Sequence, residues 1–82
     1  MILTTGQGAV KTDFIGSDQP IIQNLGPGTL YVGPSATNLL TTGLYLPVNA
    51  VYEYPATLVQ GGAEVWLQAD VDTCDVRIIN VG

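Results

Sequence analysis

The residues best suited to chemistry in this chain are the carboxylates of Asp70-Val71-Asp72-Thr73-Cys74-Asp75. A D-x-D start is how an EF-hand calcium loop begins, but that loop needs glycine at position six and glutamate at position twelve. Those positions hold Asp75 and Val81. The segment therefore reads as a turn between two strands, closed by Asx-type hydrogen bonds. Paired acids also drive glycoside hydrolysis, yet no pair stands out by spacing in a chain too small for a deep cleft. Gly6-Gln7-Gly8 and Gly26-Pro27-Gly28 lack the further glycine of a dinucleotide fingerprint and the Gly-Lys-Ser/Thr of a P-loop. Cys74 lies beside Asp72 and Asp75, which disfavour a thiolate and argue for an inert side chain. The expectation is a protein that is not an enzyme and uses no metal and no cofactor.

Composition narrows the alternatives. Of 82 residues, 46% are hydrophobic and 11% charged, against roughly a quarter charged in an average soluble domain. Two cations, Lys11 and Arg77, oppose seven carboxylates for a net charge of −5, and histidine is absent. Two cations cannot neutralise a phosphate backbone, which argues against nucleic acid as a partner. Without histidine and with one cysteine, the usual zinc sites and the Ser-His-Asp and Cys-His systems lack their parts. The longest apolar stretch, Leu44 to Tyr54, is broken by Pro47, Asn49 and Glu53, so no membrane-spanning segment is expected. The opening residues do not read as a signal peptide, and cytosolic synthesis is the expectation.

The elements that position these side chains are β-strands. Ten glycines and five prolines fall at short intervals, with β-branched and aromatic residues between them. Strands are expected near Ala9–Ile15, Ile21–Leu25, Thr29–Gly33, Leu44–Val48, Val51–Tyr54, Ala63–Ala69 and Asp75–Val81. Gly26-Pro27-Gly28 reads as a hairpin between two of them. The predicted fold is all-β: a compact β-sandwich or small β-barrel of about seven short, mostly antiparallel strands. Residues 1–8 read as a flexible N-terminal arm and 9–82 as a single β domain. A chain of this size buries roughly 60% of its unfolded surface, and one cysteine permits no internal disulfide. Association is the natural supplement.

Alternation assigns faces. Val65 and Leu67 oppose Glu64, Trp66 and Gln68; Val76 and Ile78 oppose Arg77; Leu30 and Val32 oppose Tyr31. Trp66 thus stands on an otherwise polar face, either covered by the Pro34–Gly43 segment or free to dock a partner. Tyr31, Tyr52 and Tyr54 share that ambiguity. With Ser35, Thr37 and Asn38 of the Pro34–Gly43 loop, they form the candidate partner-binding set.

The run Ile22-Gln23-Asn24-Leu25-Gly26-Pro27-Gly28-Thr29-Leu30-Tyr31-Val32-Gly33 resembles small virion proteins of tailed bacteriophages. In these an I-x-N-x-G-x-G-T-V-Y-V-G-like hairpin precedes a Ser/Thr-rich loop, a G-x-x-L-P-like segment and a V-R-V-like strand. Pro34-Ser35-Ala36-Thr37-Asn38, Gly43-Leu44-Tyr45-Leu46-Pro47 and Asp75-Val76-Arg77-Ile78 occupy those places, so the resemblance covers roughly residues 9 to 81. It departs after Pro47, where the family commonly has a glycine and this chain has Val48-Asn49-Ala50. The resemblance implies a capsid decoration (cement) protein or head-fibre base that stabilises the capsid surface and has no catalytic residues. Its expected partners are the major capsid protein lattice and further copies of itself, a homotrimer at local three-fold positions. The alternatives are a tail or fibre component, or a small carbohydrate-binding, adhesin-like β-module stacking sugars on Trp66 and tyrosines.

Overall fold

A computed structural model describes residues 1–12, 20–53 and 64–80, with the side chain of Asn80 excepted. The strands are β1 (Ile2–Leu3), β2 (Val10–Lys11), β3 (Pro20–Gly33), β4 (Leu44–Leu46), β5 (Val51–Glu53) and β6 (Trp66–Asn80). A 3₁₀ turn spans Thr5–Gln7, and one helical turn, α1, spans Leu39–Thr42. All strand pairings are antiparallel. The all-β expectation holds.

Two long strands organise the molecule. β3 and β6 pair from Pro20↔Asn80 to Gly33↔Trp66. On the far side of β6 lie β1 and β2, and on the far side of β3 lie β4 and β5. One half of the sheet is thus β2, the first part of β6, the second part of β3, and β4. The other half is β1, the second part of β6, the first part of β3, and β5. Inward side chains from both halves form one core, including Leu30, Val32, Leu46 and Leu67 from the first and Leu3, Ile22 and Val76 from the second. The sheet folds over its own middle, as a sandwich does.

Two expected turns are corrected. Gly26-Pro27-Gly28 does not close a hairpin, and Asp70–Cys74 does not separate two strands. Each is an irregularity within one continuous strand, and they face each other, with register shifts between Asn24 and Thr29. Along β3, Pro20, Ile22, Asn24, Gly26, Gly28, Leu30 and Val32 are all buried, so inward parity runs straight through the Gly-Pro-Gly. In β6 the parity switches from Leu67 and Ala69 to Cys74 and Val76. Opposite Asn24 to Thr29, β6 has one residue more than β3, and a β-bulge that adds one residue reverses the faces. Val71, at φ 75°, lies in that stretch. The result is two long bent strands where four short ones were expected.

The fold line is tied by Asn24, which is fully buried. Its Nδ2 donates to the carbonyls of Gly28 and Leu46, both at 2.9 Å, and its Oδ1 accepts from the Gly26 N–H at 2.9 Å. Its own N–H donates to the Ala50 carbonyl at 3.0 Å, and its carbonyl accepts from the Asn49 N–H at 2.6 Å. The side chain thereby joins the β3 irregularity to the end of β4, and the main chain of the same residue joins it to the following turn. Gly26 sits at φ 81°, preceding a cis Gly26–Pro27 peptide bond. A Cβ on Gly28 would lie 2.3 Å from the Asp72 carbonyl oxygen, so only glycine lets the two irregularities approach so closely. After β4, the Ala50 N–H donates to the Pro47 carbonyl at 3.0 Å, closing a turn. There Asn49 takes φ 71°, a left-handed conformation that asparagine tolerates in place of glycine.

Of residues 1–8, Ile2 and Leu3 pair with β6 as β1, and Thr5–Gln7 form an exposed 3₁₀ turn. Met1 donates to the Val76 carbonyl at 2.9 Å and accepts from the Val76 N–H at 2.7 Å, and Leu3 is a core residue. Of the strand expected over Ala9–Ile15, only the part to residue 12 lies within the described residues, as does Val51–Glu53 of the strand expected to Tyr54.

Candidate functional site

The folded sheet presents two outward faces. On the first, β3 pairing sets Gln68, Tyr31 and Tyr45 in one row across three strands. The Tyr31 and Tyr45 rings meet edge-to-face, with centroids 5.7 Å apart and planes at 66°. Tyr45 is 62% exposed. Rings at that angle do not offer one flat stacking platform to a sugar.

The next row is Lys11, Trp66 and Gly33. The Trp66 Nε1–H donates to Glu64 Oε1 at 3.1 Å, and Glu64 Oε2 pairs with Lys11 Nζ at 3.1 Å. The Trp66 hydrogen bond and the Lys11 ammonium together hold the Glu64 carboxyl below its ordinary range. Trp66 is half-buried. Nearby, α1 of the Pro34–Gly43 segment packs against β3 and β6. The buried Leu39 places its Cδ1 2.6 Å from where a Gly33 Cβ would stand. Leu39 thus occupies the outer face beside Trp66, in space that Gly33 leaves open. The loop is held by its own polar groups as well. Ser35 Oγ accepts from the Thr37 N–H at 3.1 Å. The Asn38 carbonyl accepts from the Thr41 and Thr42 hydroxyls at 2.9 and 3.0 Å. Ser35, Thr37 and Asn38 all remain exposed.

Tyr52 takes a different place from the other candidates. It pairs with Ile22 on the inner side and packs against the core. Tyr54 lies outside the described residues.

The second outward face belongs to the other half of the sheet. Its rows are Ile79, Ile21 and Glu53; Arg77, Gln23 and Val51; and Asp75 with Ile2. Ile2, Val51 and Ile79 are 58%, 60% and 61% exposed. Arg77 forms a two-point contact with Asp75, each bond 3.3 Å long. These aliphatic positions were not singled out in the sequence, nor was Tyr45. The alternation in Leu44-Tyr45-Leu46 was the available signal for the tyrosine. No comparable signal marked the second face, because it depends on which strands become neighbours.

The acidic segment divides its carboxylates. Asp72 Oδ1 accepts from the Thr73 N–H at 2.7 Å, Asp75 turns to Arg77, and Asp70 stands opposite Thr29 on β3. Among the described residues no three metal-ligating side chains come together. Cys74 is buried in the core, and burial, with Asp72 adding, pushes its thiol up. The arrangement offers surfaces for contact, one aromatic and polar, the other aliphatic around one ion pair. No family model, curated protein or solved structure matches the chain.

Proposed function

We propose that this chain is a non-enzymatic structural protein of a tailed-bacteriophage virion, which adds to the capsid surface as a symmetric oligomer and stabilises it. The observation that carries this reading is the pair of outward sheet faces, one bearing the exposed Tyr45 beside the half-buried Tyr31 and Trp66, the other bearing the exposed Ile2, Val51 and Ile79. A protein that must contact both a shell and its own neighbours needs two such surfaces. Aromatic residues are enriched where proteins dock. Low charge with a net −5 favours solubility and discourages contact with packaged DNA. The motif behind the resemblance also has a structural reason, because Asn24, Gly26 and Gly28 together make the fold line.

In this reading the aromatic face and the exposed Ser35, Thr37 and Asn38 meet the major capsid protein, in a trimer at local three-fold positions. Epitope labelling of the chain in purified virions tests the location. Label distributed over the head is expected; label confined to the tail would replace decoration with a tail or fibre role.

A further inference from the structure

We infer that the aromatic face takes an arginine-bearing segment of a basic protein, stacked on Tyr45 and Tyr31 with its charge met by Asp70. The inference rests on the proposed function and deepens it, by naming the chemistry of the surface that this face meets.

The face is graded from one end to the other. Its first row, Lys11, Trp66 and Gly33, is neutralised by Glu64, which pairs with Lys11 and accepts from the Trp66 Nε1–H. The second row, Gln68, Tyr31 and Tyr45, carries the ring pair, with Tyr45 62% exposed. The third sets Asp70 opposite Thr29. Leu67 and Ala69 are core residues, so Asp70 shares the outward side of β6 with Trp66 and Gln68. Thr29 stands two residues from Tyr31, which makes Asp70 and Tyr31 diagonal neighbours with Cα atoms roughly 7–8 Å apart. Among the described residues Asp70 makes no ion pair, because the two cationic side chains of the chain are committed elsewhere, Lys11 to Glu64 and Arg77 to Asp75.

Those two pairs also select the occupant. A second copy brings a net charge of −5 and no cationic side chain that is not already paired. A nucleic acid brings further negative charge. A sugar needs a flat platform, which rings at 66° do not provide. A guanidinium needs only one ring. It lies over an aromatic face within about 6 Å of the centroid and keeps its N–H fork for a carboxylate. An exposed tyrosine ring with an unpaired carboxylate one row away suits that planar group better than an ammonium, which is a compact and strongly hydrated point charge.

The test titrates capped peptides of alternating glycine and arginine, glycine and lysine, or glycine and glutamine into the full chain at low salt, followed by NMR of its backbone amides. The expected result is shifted amides at Tyr31, Tyr45, Gln68 and Asp70 with arginine, binding weaker by about threefold or more with lysine, and no response to glutamine. Asp70→Asn should weaken the arginine peptide by about threefold or more, and Asp72→Asn, the same charge removed beyond Val71, by less than about twofold. Tyr45→Asp adds a carboxylate while removing the ring. A desolvated cation–π contact outweighs an exposed ion pair, so binding should fall here too. Asp70 and Tyr45 lie on different strands, so misfolding of one variant, read by circular dichroism, leaves the other informative. The inference is overturned by a chain that ignores the arginine peptide, by equal binding of the glutamine peptide, by equal losses from Asp70→Asn and Asp72→Asn, or by tighter binding of Tyr45→Asp. Cosedimentation with capsids separates the two proposals. A chain that takes the arginine peptide on this face and ignores the shell would remove the proposed function and keep the inference. Shell binding unaltered by Asp70→Asn, with no response to the peptide, would do the reverse.

Discussion

Asn24 offers the sharpest test of how the fold is held. Replacing it with alanine removes three side-chain hydrogen bonds, each 2.9 Å long. Their partners, the Gly26 N–H and the Gly28 and Leu46 carbonyls, belong to buried residues. At ~1–3 kcal/mol for each buried group left unpaired, with carbonyls toward the lower end, the cost is about 3–6 kcal/mol. A domain of this length has a total stability of about 4–12 kcal/mol, so Asn24→Ala should leave little of it. Asn24→Asp tests the same bonds by charge at constant size. A carboxylate oxygen would replace Nδ2, facing two carbonyl oxygens without a proton to share. The introduced carboxyl is then easier to protonate in the folded state than in the unfolded one. The native state binds more protons, so the penalty relative to wild type is largest near pH 7. It shrinks as pH falls toward the ordinary carboxyl value of ~4. Urea unfolding followed by the fluorescence of Trp66, the single tryptophan, measures both. The expected penalty for Asn24→Asp is about 4 kcal/mol or more at neutral pH and clearly less at pH ~3.5. A penalty below ~1 kcal/mol, or one indifferent to pH, would refute the hydrogen-bond hub.

Four further perturbations test other parts of the structure. Gly28→Ala drives a methyl to 2.3 Å from the Asp72 carbonyl oxygen, whereas Gly6→Ala meets nothing within 4 Å. Thermal melts should show a loss of ~3 kcal/mol or more for the first, over about 12 °C, and almost none for the second. Val71 holds φ 75° while 84% exposed, so Val71→Asn should raise stability by about 1 kcal/mol; a destabilised variant would contradict the bulge geometry. Cys74, buried with its thiol pushed up, should label with an aromatic disulfide at pH 8 only as fast as the chain opens. Complete native labelling within seconds would place it at the surface. Glu64 is held low by Trp66 and Lys11, so its stabilising contribution is present above the unfolded glutamate value and lost as pH falls through the lower folded one. Lys11→Ala should raise the midpoint of the acid titration seen at the Trp66 indole N–H by NMR; an unmoved midpoint would deny the Lys11–Glu64–Trp66 chain.

Strand composition and face assignment were legible because alternation is local. Val65, Leu67, Val76, Leu30 and Val32 turn inward as their neighbours imply, and all are core residues. What was not legible was continuity. Gly26-Pro27-Gly28 carries the residues of a hairpin, and only the persistence of inward parity from Ile22 to Leu30 distinguishes a bent strand from a turn. Asn24 held a further clue, since a polar residue at an inward position must find partners inside the fold. Its partners at Leu46, Asn49 and Ala50 are far along the chain, so the sequence could not supply them. The candidate surface divided in the same way. Trp66 and Tyr31 were readable from their own strands. The row that joins Tyr45 to Tyr31, and the gathering of Ile2, Val51 and Ile79 on one face, follow from pairings between distant segments. The packing of Leu39 against Gly33, the strand partner of Trp66, likewise depends on a contact across the loop that alternation does not show.

The central claim, that the chain adds to a capsid, is tested most directly by mixing the purified protein with purified capsids assembled from the shell protein of the same genome and sedimenting them. Saturable cosedimentation at a fixed ratio to the shell protein, weakened by Tyr45→Asp on the aromatic face, is the expected result. Protein that stays in the supernatant at every concentration, or that pellets without saturating, would contradict it.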